Sequence, residues 1–172
     1  MRPLLEQTAP GLPTYTQLET LPLLTAVVKE GLRLSWGVSG RLPRISHRPV
    51  QYQDYTIPPE TSISMNTTDV LMDPKIFVEP EKFVPERWLT GSSKNKTLDK
   101  YLVPFSKGPR GCIGLWLAYA GLYTGTAAVF SNFDFELFET DERNVIAERD
   151  HFSPFAKPGF EEFKVLVKRA ED

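Results

Sequence analysis

One ten-residue stretch, Phe105 to Gly114, constrains this chain more than any other. It contains Cys112, the only cysteine among the 172 residues, together with three glycines. From Ile113 to Phe130 the chain then carries no charged side chain, which predicts a buried helix that begins close to the cysteine. Helix N-termini offer unpaired N–H groups and a positive dipole end, both of which favour a thiolate. The stretch therefore predicts a reactive sulfur in a glycine-rich loop at a helix start.

Two interpretations of Cys112 follow from the residues alone. Glycines permit positive φ and let a flat partner approach the backbone closely, and an anionic sulfur is a suitable ligand for a transition metal. A buried cysteine beside a tight turn would need no ligand at all. With no second thiol in the chain, Cys112 has no disulfide partner, which fits a reducing compartment.

The uncharged run after the cysteine also has the length of a membrane span. Gly121 and Gly125 form a small-xxx-small pair of the kind that packs membrane helices together. However, the run includes two threonines and a third glycine, and it adjoins a charged loop. These features favour a helix of a water-soluble core, buried on all sides.

Composition excludes several classes of protein. A hydrophobic share of 41% and an aromatic share of 12% are typical of a globular chain rather than a disordered one. The formal net charge of −2 gives no electrostatic basis for binding nucleic acid. The first residues lack the apolar run of a signal peptide or membrane anchor.

The segment before the cysteine loop predicts one main helix. Residues 1–20 are rich in proline and threonine and predict a poorly ordered start. From Leu21 onward, apolar residues recur at spacings of three and four, which predicts an amphipathic helix. Glu30 and Arg33 lie three residues apart on it, so their side chains can touch.

The rest of the chain predicts short strands and irregular segments. An aromatic and proline-rich stretch from Phe77 to Leu89 can be neither a regular helix nor a central strand, and Arg87 within it needs an acidic partner. The whole pattern predicts an α+β fold, mainly helical with short β-strands. The predicted strands are Arg41–Ile45, Val50–Tyr52, Tyr55–Ile57, Ser62–Met65, Phe133–Phe138 and Phe163–Lys168.

Three separated pieces of the sequence together resemble a known family. They are Glu30-Gly-Leu-Arg33, Pro85-Glu-Arg87-Trp88 and the cysteine loop. This set resembles the haem-thiolate monooxygenases, the cytochrome P450 superfamily. The loop matches the signature F-x-x-G-x-R-x-C-x-G at all five fixed positions, which chance would give in on the order of one in ten million windows. The sequences of residues 69–89 and 102–130 look most like those of filamentous-fungal family members that act in secondary metabolism, including the trichodiene-oxygenase type.

The resemblance implies a haem b site on the cysteine loop. Cys112 would be the axial ligand of the haem iron, and Phe105 would pack near the sulfur. Gly108 and Gly114 would allow the macrocycle to come close. Arg110 would pair with a haem propionate, a contact suited to guanidinium geometry.

Two further sets of residues take roles from the same resemblance. Glu30, Arg33 and Arg87 would form a buried ion-pair cluster that steadies the loop. Arg44, in preference to Arg41, would make a second propionate contact. No residue of the chain is assigned a catalytic role.

The resemblance covers the C-terminal part of the family fold. Residues 1–172 are expected to form a partial domain, with the start at 1–20 and the proximal haem-binding portion at 21–172. The full-length family hydroxylates C–H bonds of small apolar organic substrates, using dioxygen and electrons from an NADPH-dependent reductase, at the endoplasmic reticulum membrane. The distal oxygen-binding helix and the membrane anchor have no counterpart here, so the alternative is a non-catalytic truncated fragment.

A third interpretation is a cysteine hydrolase that uses Cys112 with His47 or His151. It explains neither Arg110 nor the glycines around the sulfur. One departure from the family pattern also stands out, because an acidic residue is usual at the position of Gly121.

Overall fold

The computed structural model describes residues 13–38, 40–89, 95–160 and 162–170. Residues 1–12, most of the start that was expected to be poorly ordered, lie outside these ranges. Residues 15–18 of that start form a short helix, and its Leu18 is buried. The predicted main helix follows directly.

Helices, strands and single 3₁₀ turns alternate along the chain. The helices are α1 (Tyr15–Leu18), α2 (Pro22–Ser35), α3 (Thr67–Leu71), α4 (Asn95–Leu98) and α5 (Leu115–Asn132). The strands are β1 (Arg44–Ile45), β2 (Val50–Tyr52), β3 (Tyr55–Ile57), β4 (Ser62–Ile63), β5 (Phe133–Leu137), β6 (Arg149–Asp150), β7 (Pro154–Phe155) and β8 (Val165–Arg169). The 3₁₀ turns span Pro85–Trp88, Asp99–Tyr101 and Glu142–Asn144. This mixture confirms the predicted α+β class.

Helix α2 begins and ends where its sequence favours it. Pro22 occupies the first helical position, where its missing N–H costs no hydrogen bond, and Leu21 is the extended residue before it. At the other end Trp36 has a left-handed φ of 56°, and Gly37 follows at 65°. Two successive left-handed residues stop the helix and redirect the chain.

The strands pair as four separate antiparallel ladders of two strands each. β1 pairs with β4, β2 with β3, β5 with β8, and β6 with β7. The longest ladder sets Phe133 opposite Arg169 and Leu137 opposite Val165. This ladder is formed by the two strands that were predicted at residues 133–138 and 163–168.

Helix α2 lies between two hydrophobic clusters and contributes to both. The first cluster joins α1, α2 and α5, and the second joins α2 to the irregular segment that ends in the turn Pro85–Trp88. The buried members of the first are Leu18, Leu24, Val28, Leu32, Tyr123 and Ala127. Those of the second are Ala26, Phe77 and Trp88. In the second cluster, the aromatic side chains of the proline-rich stretch pack against the core.

The prediction that the helix after the cysteine is buried on all sides is wrong. In α5 only Tyr123 and Ala127 are buried, whereas Trp116 is 73% and Leu117 is 79% exposed. The absence of charge predicted burial, but α1 and α2 pack against one side of α5 and leave its other apolar faces uncovered. Among the described residues, no helix combines the length and apolar character required to cross a membrane.

Candidate functional site

The carboxylate of Glu30 is the centre of a buried ion-pair cluster. Glu30 and Arg33 lie one turn apart on α2, and both side chains are fully buried. The Arg33 guanidinium donates to both carboxylate oxygens, from Nε to Oε2 at 3.0 Å and from Nη2 to Oε1 at 2.9 Å. This fork geometry is the strongest arrangement that an arginine and a carboxylate can form.

The segment around the turn Pro85–Trp88 adds three more donors to the same carboxylate. Arg87 Nε donates to Oε1 at 3.1 Å, and the backbone N–H of Val84 donates to Oε1 at 3.0 Å. The indole N–H of Trp88 donates to Oε2 at 2.8 Å. The acidic partner that Arg87 required is therefore Glu30.

The remaining guanidinium N–H groups of this cluster bind backbone carbonyls. Arg33 donates from Nη1 to the carbonyl of Leu71 at 2.9 Å and from Nη2 to that of Lys82 at 3.0 Å. Arg87 donates from Nη1 to the carbonyl of Val78 at 2.9 Å. The hydrogen bonds of this cluster therefore hold α2 against residues 71–88.

The protonation of Glu30 reflects this environment. Burial by itself would raise the pKa of its carboxyl group. The hydrogen bonds from Arg33, the Val84 amide and Trp88 outweigh that penalty and hold the pKa below its ordinary value. Glu30 is consequently an anion at neutral pH, as the two neighbouring cations require.

Helix α2 also supports the segment that leads into the cysteine loop. Lys29 Nζ lies 2.7 Å from Asp99 Oδ1 in the turn Asp99–Tyr101. At the end of the helix, a Cβ added to Gly37 would lie 3.1 Å from the carbonyl oxygen of Pro104. A glycine at this position lets the chain after α2 approach the start of the loop.

The cysteine loop is a tight backbone reversal. The N–H of Cys112 donates to the carbonyl of Phe105 at 2.9 Å, and that of Gly111 donates to Gly108 at 3.0 Å. Gly108 has a φ of +80°, and Ser106 also has a left-handed φ, of 59°. Cys112 lies two residues before Gly114, the N-cap of α5, so the predicted place of the sulfur at a helix start is confirmed.

Three side chains of the loop are exposed to solvent, those of Arg110, Cys112 and Ile113. Cys112 is exposed and free. Arg110 is exposed, and no described residue offers it a hydrogen bond or an ion pair. Ile113 is fully exposed, and the exposed Trp116 and Leu117 continue this apolar surface along the first turn of α5. A thiol, a guanidinium and an apolar face are therefore all open to a ligand.

Two other loop residues predicted from the resemblance face different surroundings. The ring of Phe105 is half-buried and contacts that of Tyr119, with 5.6 Å between centroids. A Cβ added to Gly114 would lie 3.8 Å from the sulfur of Cys112, an ordinary contact. The protein's own packing therefore leaves room for a side chain at Gly114.

The structure does not join every predicted site residue to the loop. Arg44 is exposed in β1, and its Nη1 donates to the neighbouring carbonyl of Pro43 at 2.9 Å. No hydrogen bond or ion pair within the described ranges links Arg44 to the loop. His47 binds Glu60 at 2.6 Å, the ring of His151 contacts that of Phe155, and within the described residues neither histidine is hydrogen-bonded to Cys112. The hydrolase interpretation has no support in this geometry.

Sequence reasoning missed two members of the carboxylate site. Trp88 was assigned no role from the sequence, and the backbone N–H of Val84 carries no signal in its side chain. The indole of Trp88 could have been found, because a buried indole N–H requires an acceptor and Arg87 beside it required an anion.

Comparison with known proteins gives one consistent result. The family model described as Cytochrome P450 matches residues 4–159. The chain is 52% identical over 152 residues to the cytochrome P450 monooxygenase sdnE of Sordaria araneosa, covering 86% of this chain and 29% of that protein. It is 44% identical over 147 residues to astB of Aspergillus terreus, with 85% and 29% covered. It is 39% identical over 153 residues to the tryptophan 6-hydroxylase fscE of Fusarium equiseti, with 89% and 30% covered.

The relatives come from filamentous fungi, as the sequences of residues 69–89 and 102–130 predicted. The resemblance to the trichodiene-oxygenase type stays a prediction. The chain spans about 30% of the length of the relatives that it matches.

Proposed function

This chain belongs to the cytochrome P450 family, and on that premise we propose that it binds haem b through the thiolate of Cys112. The observation that carries the proposal is the combination of groups left open on the cysteine loop. A haem is a flat apolar macrocycle with an iron that needs axial ligands and two carboxylates at one edge. The loop offers a free sulfur, an apolar surface and an unpaired guanidinium, one for each of these features.

The residues present fit the group in chemistry as well as in exposure. The sulfur belongs to the only thiol of the chain, and thiolate ligation suits haem iron. Ile113, Trp116 and Leu117 would bury apolar area against the macrocycle instead of against water. Arg110 would gain a charge-assisted bond to a propionate, and Gly108 would keep the loop backbone in its left-handed turn.

Backbone groups near the sulfur have a further role in this proposal. The N–H groups of Ile113 and Gly114 donate no hydrogen bond within the described part of the chain. At the start of α5 they can donate to a thiolate and stabilise its charge. Such donors withdraw electron density from the sulfur and thereby set the potential of a bound iron.

Haem with a thiolate ligand supplies the activation of dioxygen. The residues of this chain supply ligation, the charge pairing of Arg110 and the rigid support from the Glu30 cluster. Glu30, Arg33 and Arg87 act at a distance, because they fix α2, which contacts Asp99 before the loop and Tyr123 of α5 after it. Arg44 is proposed as a second propionate contact, made by rotation of its exposed side chain.

For a protein of the relatives' full length, we propose monooxygenase activity. Such a protein would hydroxylate a small apolar organic substrate with dioxygen and electrons from an NADPH-dependent reductase, at the endoplasmic reticulum membrane. For the chain by itself we propose haem binding without turnover. The uncovered apolar faces of α5 support this distinction, because a buried and dry oxygen site needs more covering structure than the described residues provide.

Haem titration of the 172-residue chain tests the proposal. After reduction and treatment with carbon monoxide, the loaded chain is expected to show the red-shifted Soret band of thiolate ligation. Cys112→Ala should abolish that band, while Arg110→Ala should weaken haem binding and leave the band position unchanged. Arg48→Ala, which removes another exposed arginine, is the matched control. A folded, haem-supplemented chain without the shifted band would refute the proposal.

A further inference from the structure

Four aromatic rings form a continuous row that begins at the cysteine loop. The ring of Phe105 lies 5.6 Å from that of Tyr119, measured between centroids. Tyr119 lies 6.2 Å from Tyr123, four residues later on α5, and Tyr123 lies 5.6 Å from Tyr15 on α1. All three separations fall within the range of rings in direct contact.

The row has one end at the sulfur loop and the other at an exposed base. At the first end, the carbonyl of Phe105 accepts the backbone N–H of Cys112 at 2.9 Å. At the second end, Tyr15 is half-buried, and the exposed carboxylate of Glu19 follows it by one helical turn, at the C-cap of α1, so that the two side chains are neighbours. The row therefore connects the environment of Cys112 to the protein surface.

The three phenols differ in where a proton could go. Burial raises the pKa of Tyr119 to about 12, and no described hydrogen bond ties its hydroxyl to a base. Tyr123 donates to the hydroxyl of Thr25 at 3.0 Å, which in turn donates to a backbone carbonyl. Tyr15 is followed one helical turn later by the exposed carboxylate of Glu19, which can take a proton. A phenol that loses an electron becomes a strong acid, so its oxidised form is stabilised where a base takes the proton.

We propose that the row Phe105–Tyr119–Tyr123–Tyr15 carries single oxidising equivalents from Cys112 to Tyr15 at the far end of the row. In the overall step, a one-electron oxidant held at Cys112 gains one electron through the row. Tyr15 loses that electron and passes its phenolic proton to the carboxylate of Glu19. A neutral tyrosyl radical remains on Tyr15, where an external reductant can return it to tyrosine.

This inference concerns the aromatic row and can be tested without haem. Only the source of the oxidant in the cell rests on the proposed haem site, since a peroxide-oxidised haem iron at Cys112 is an oxidant of the required strength. An oxidising equivalent that no substrate consumes would then leave the loop through the row. It would not accumulate beside the sulfur, which is itself oxidisable.

The unique thiol provides the test. A photo-oxidisable ruthenium complex is attached to Cys112, and a flash with an electron-accepting quencher generates the oxidised metal at that position. Transient absorption and electron paramagnetic resonance then detect tyrosyl radical. We expect radical in the labelled chain, and loss of most of it in the variant carrying Tyr15→Phe, Tyr119→Phe and Tyr123→Phe.

The chain contains its own matched control. Its six tyrosines divide into three within the row and three outside it, which are Tyr52, Tyr55 and Tyr101. Changing the outer three to phenylalanine removes the same number of phenols and should leave the radical yield unchanged. Equal radical yields in the two triple variants would overturn the proposal. Tyr119→Phe alone is the second test. It keeps the ring contacts but removes the oxidisable phenol at that position, so the radical yield should fall.

The terminal base gives a readout that packing alone would not change. Glu19→Gln should lower the yield of radical on Tyr15, because the amide cannot accept the phenolic proton, and Glu19→Asp should restore it. Circular dichroism of every variant establishes that the fold is retained. Radical formation that is unaffected by Glu19→Gln would remove Tyr15 as the end of the row.

Discussion

The Glu30 cluster and the cysteine loop differ in how completely the chain satisfies their polar groups. The carboxylate of Glu30 accepts five hydrogen bonds, and its partners Arg33 and Arg87 also donate to backbone carbonyls. In the loop, Cys112 and Arg110 are exposed and have no partner among the described residues. Both regions contain an arginine, yet only one of them uses its charge inside the protein.

This difference separates support from binding. A buried carboxylate between two cations is tolerated only if every oxygen is hydrogen-bonded, so the cluster leaves nothing for a ligand. The loop has a backbone that its own hydrogen bonds fix, while its side chains remain unused. A folded chain gains nothing from leaving a thiol, a guanidinium and an apolar surface together in water, so we attribute their grouping to a ligand.

Removing the charge of Glu30 is expected to have the largest effect on stability. Glu30→Gln leaves two buried cations without their anion, and we expect a loss of about 3–5 kcal/mol in the free energy of unfolding. Glu60→Gln is the matched control, because the same change at the exposed pair with His47 should cost about 0–1 kcal/mol. Urea denaturation measures both. Similar losses in the two variants would show that the cluster does not support the fold.

The same carboxylate predicts a dependence of stability on pH. Its pKa is lowered in the folded chain, so the stabilisation is complete above the unfolded value of about 4.3 and is lost as the pH falls through the folded value. The difference in unfolding free energy between the wild type and Glu30→Gln should therefore shrink on acidification below that point. Denaturation curves at several pH values check this. A difference that grows in acid would contradict the lowered pKa.

Two tryptophans test the comparison with the same substitution in each region. Trp88→Phe removes the indole donor to Glu30, a bond to a charged group, and should cost about 1.5–3 kcal/mol. Trp116→Phe, on the exposed surface next to the loop, should change the stability by less than about 0.5 kcal/mol. In a haem titration the order is expected to reverse, with Trp116→Phe having the larger effect on affinity. A large loss of stability from Trp116→Phe would mean that α5 is more covered than the structure indicates.

The sequence predicted the parts of this molecule that short-range patterns determine. Apolar spacing after Leu21 located α2, and the strands predicted at Phe133–Phe138 and Phe163–Lys168 are β5 and β8. Arg87 was expected to have an acidic partner, and the family resemblance named Glu30, which lies 57 residues away in the chain. A charge in an apolar setting is a long-range constraint that can be read without coordinates.

Other features could not be read in this way. The exposure of α5 depends on which elements pack against it, and an uncharged run such as Ile113–Phe130 looks the same whether one face or every face is covered. The backbone donor of Val84 has no side-chain signature. The tyrosine row also joins two helices that are about 100 residues apart, and only the packing of α1 on α5 brings Tyr15 to Tyr123.

Glycine-to-alanine changes are expected to have small effects on stability, and their sign distinguishes the loop from the helix behind it. Gly108→Ala must place a side chain at a φ of +80°, and we expect a loss of about 1–2 kcal/mol although no atom obstructs the new Cβ. Gly121→Ala in the interior of α5 meets no atom within 4 Å and should gain about 0.5–1 kcal/mol from its higher helix propensity. Urea denaturation measures both changes, and Gly125→Ala, also open, repeats the second. Because Gly121→Ala leaves the sulfur loop untouched, it should stabilise the chain without changing its affinity for haem. A stabilising Gly108→Ala would show that the left-handed turn is not maintained in solution, and the loop would then acquire its shape only with a ligand.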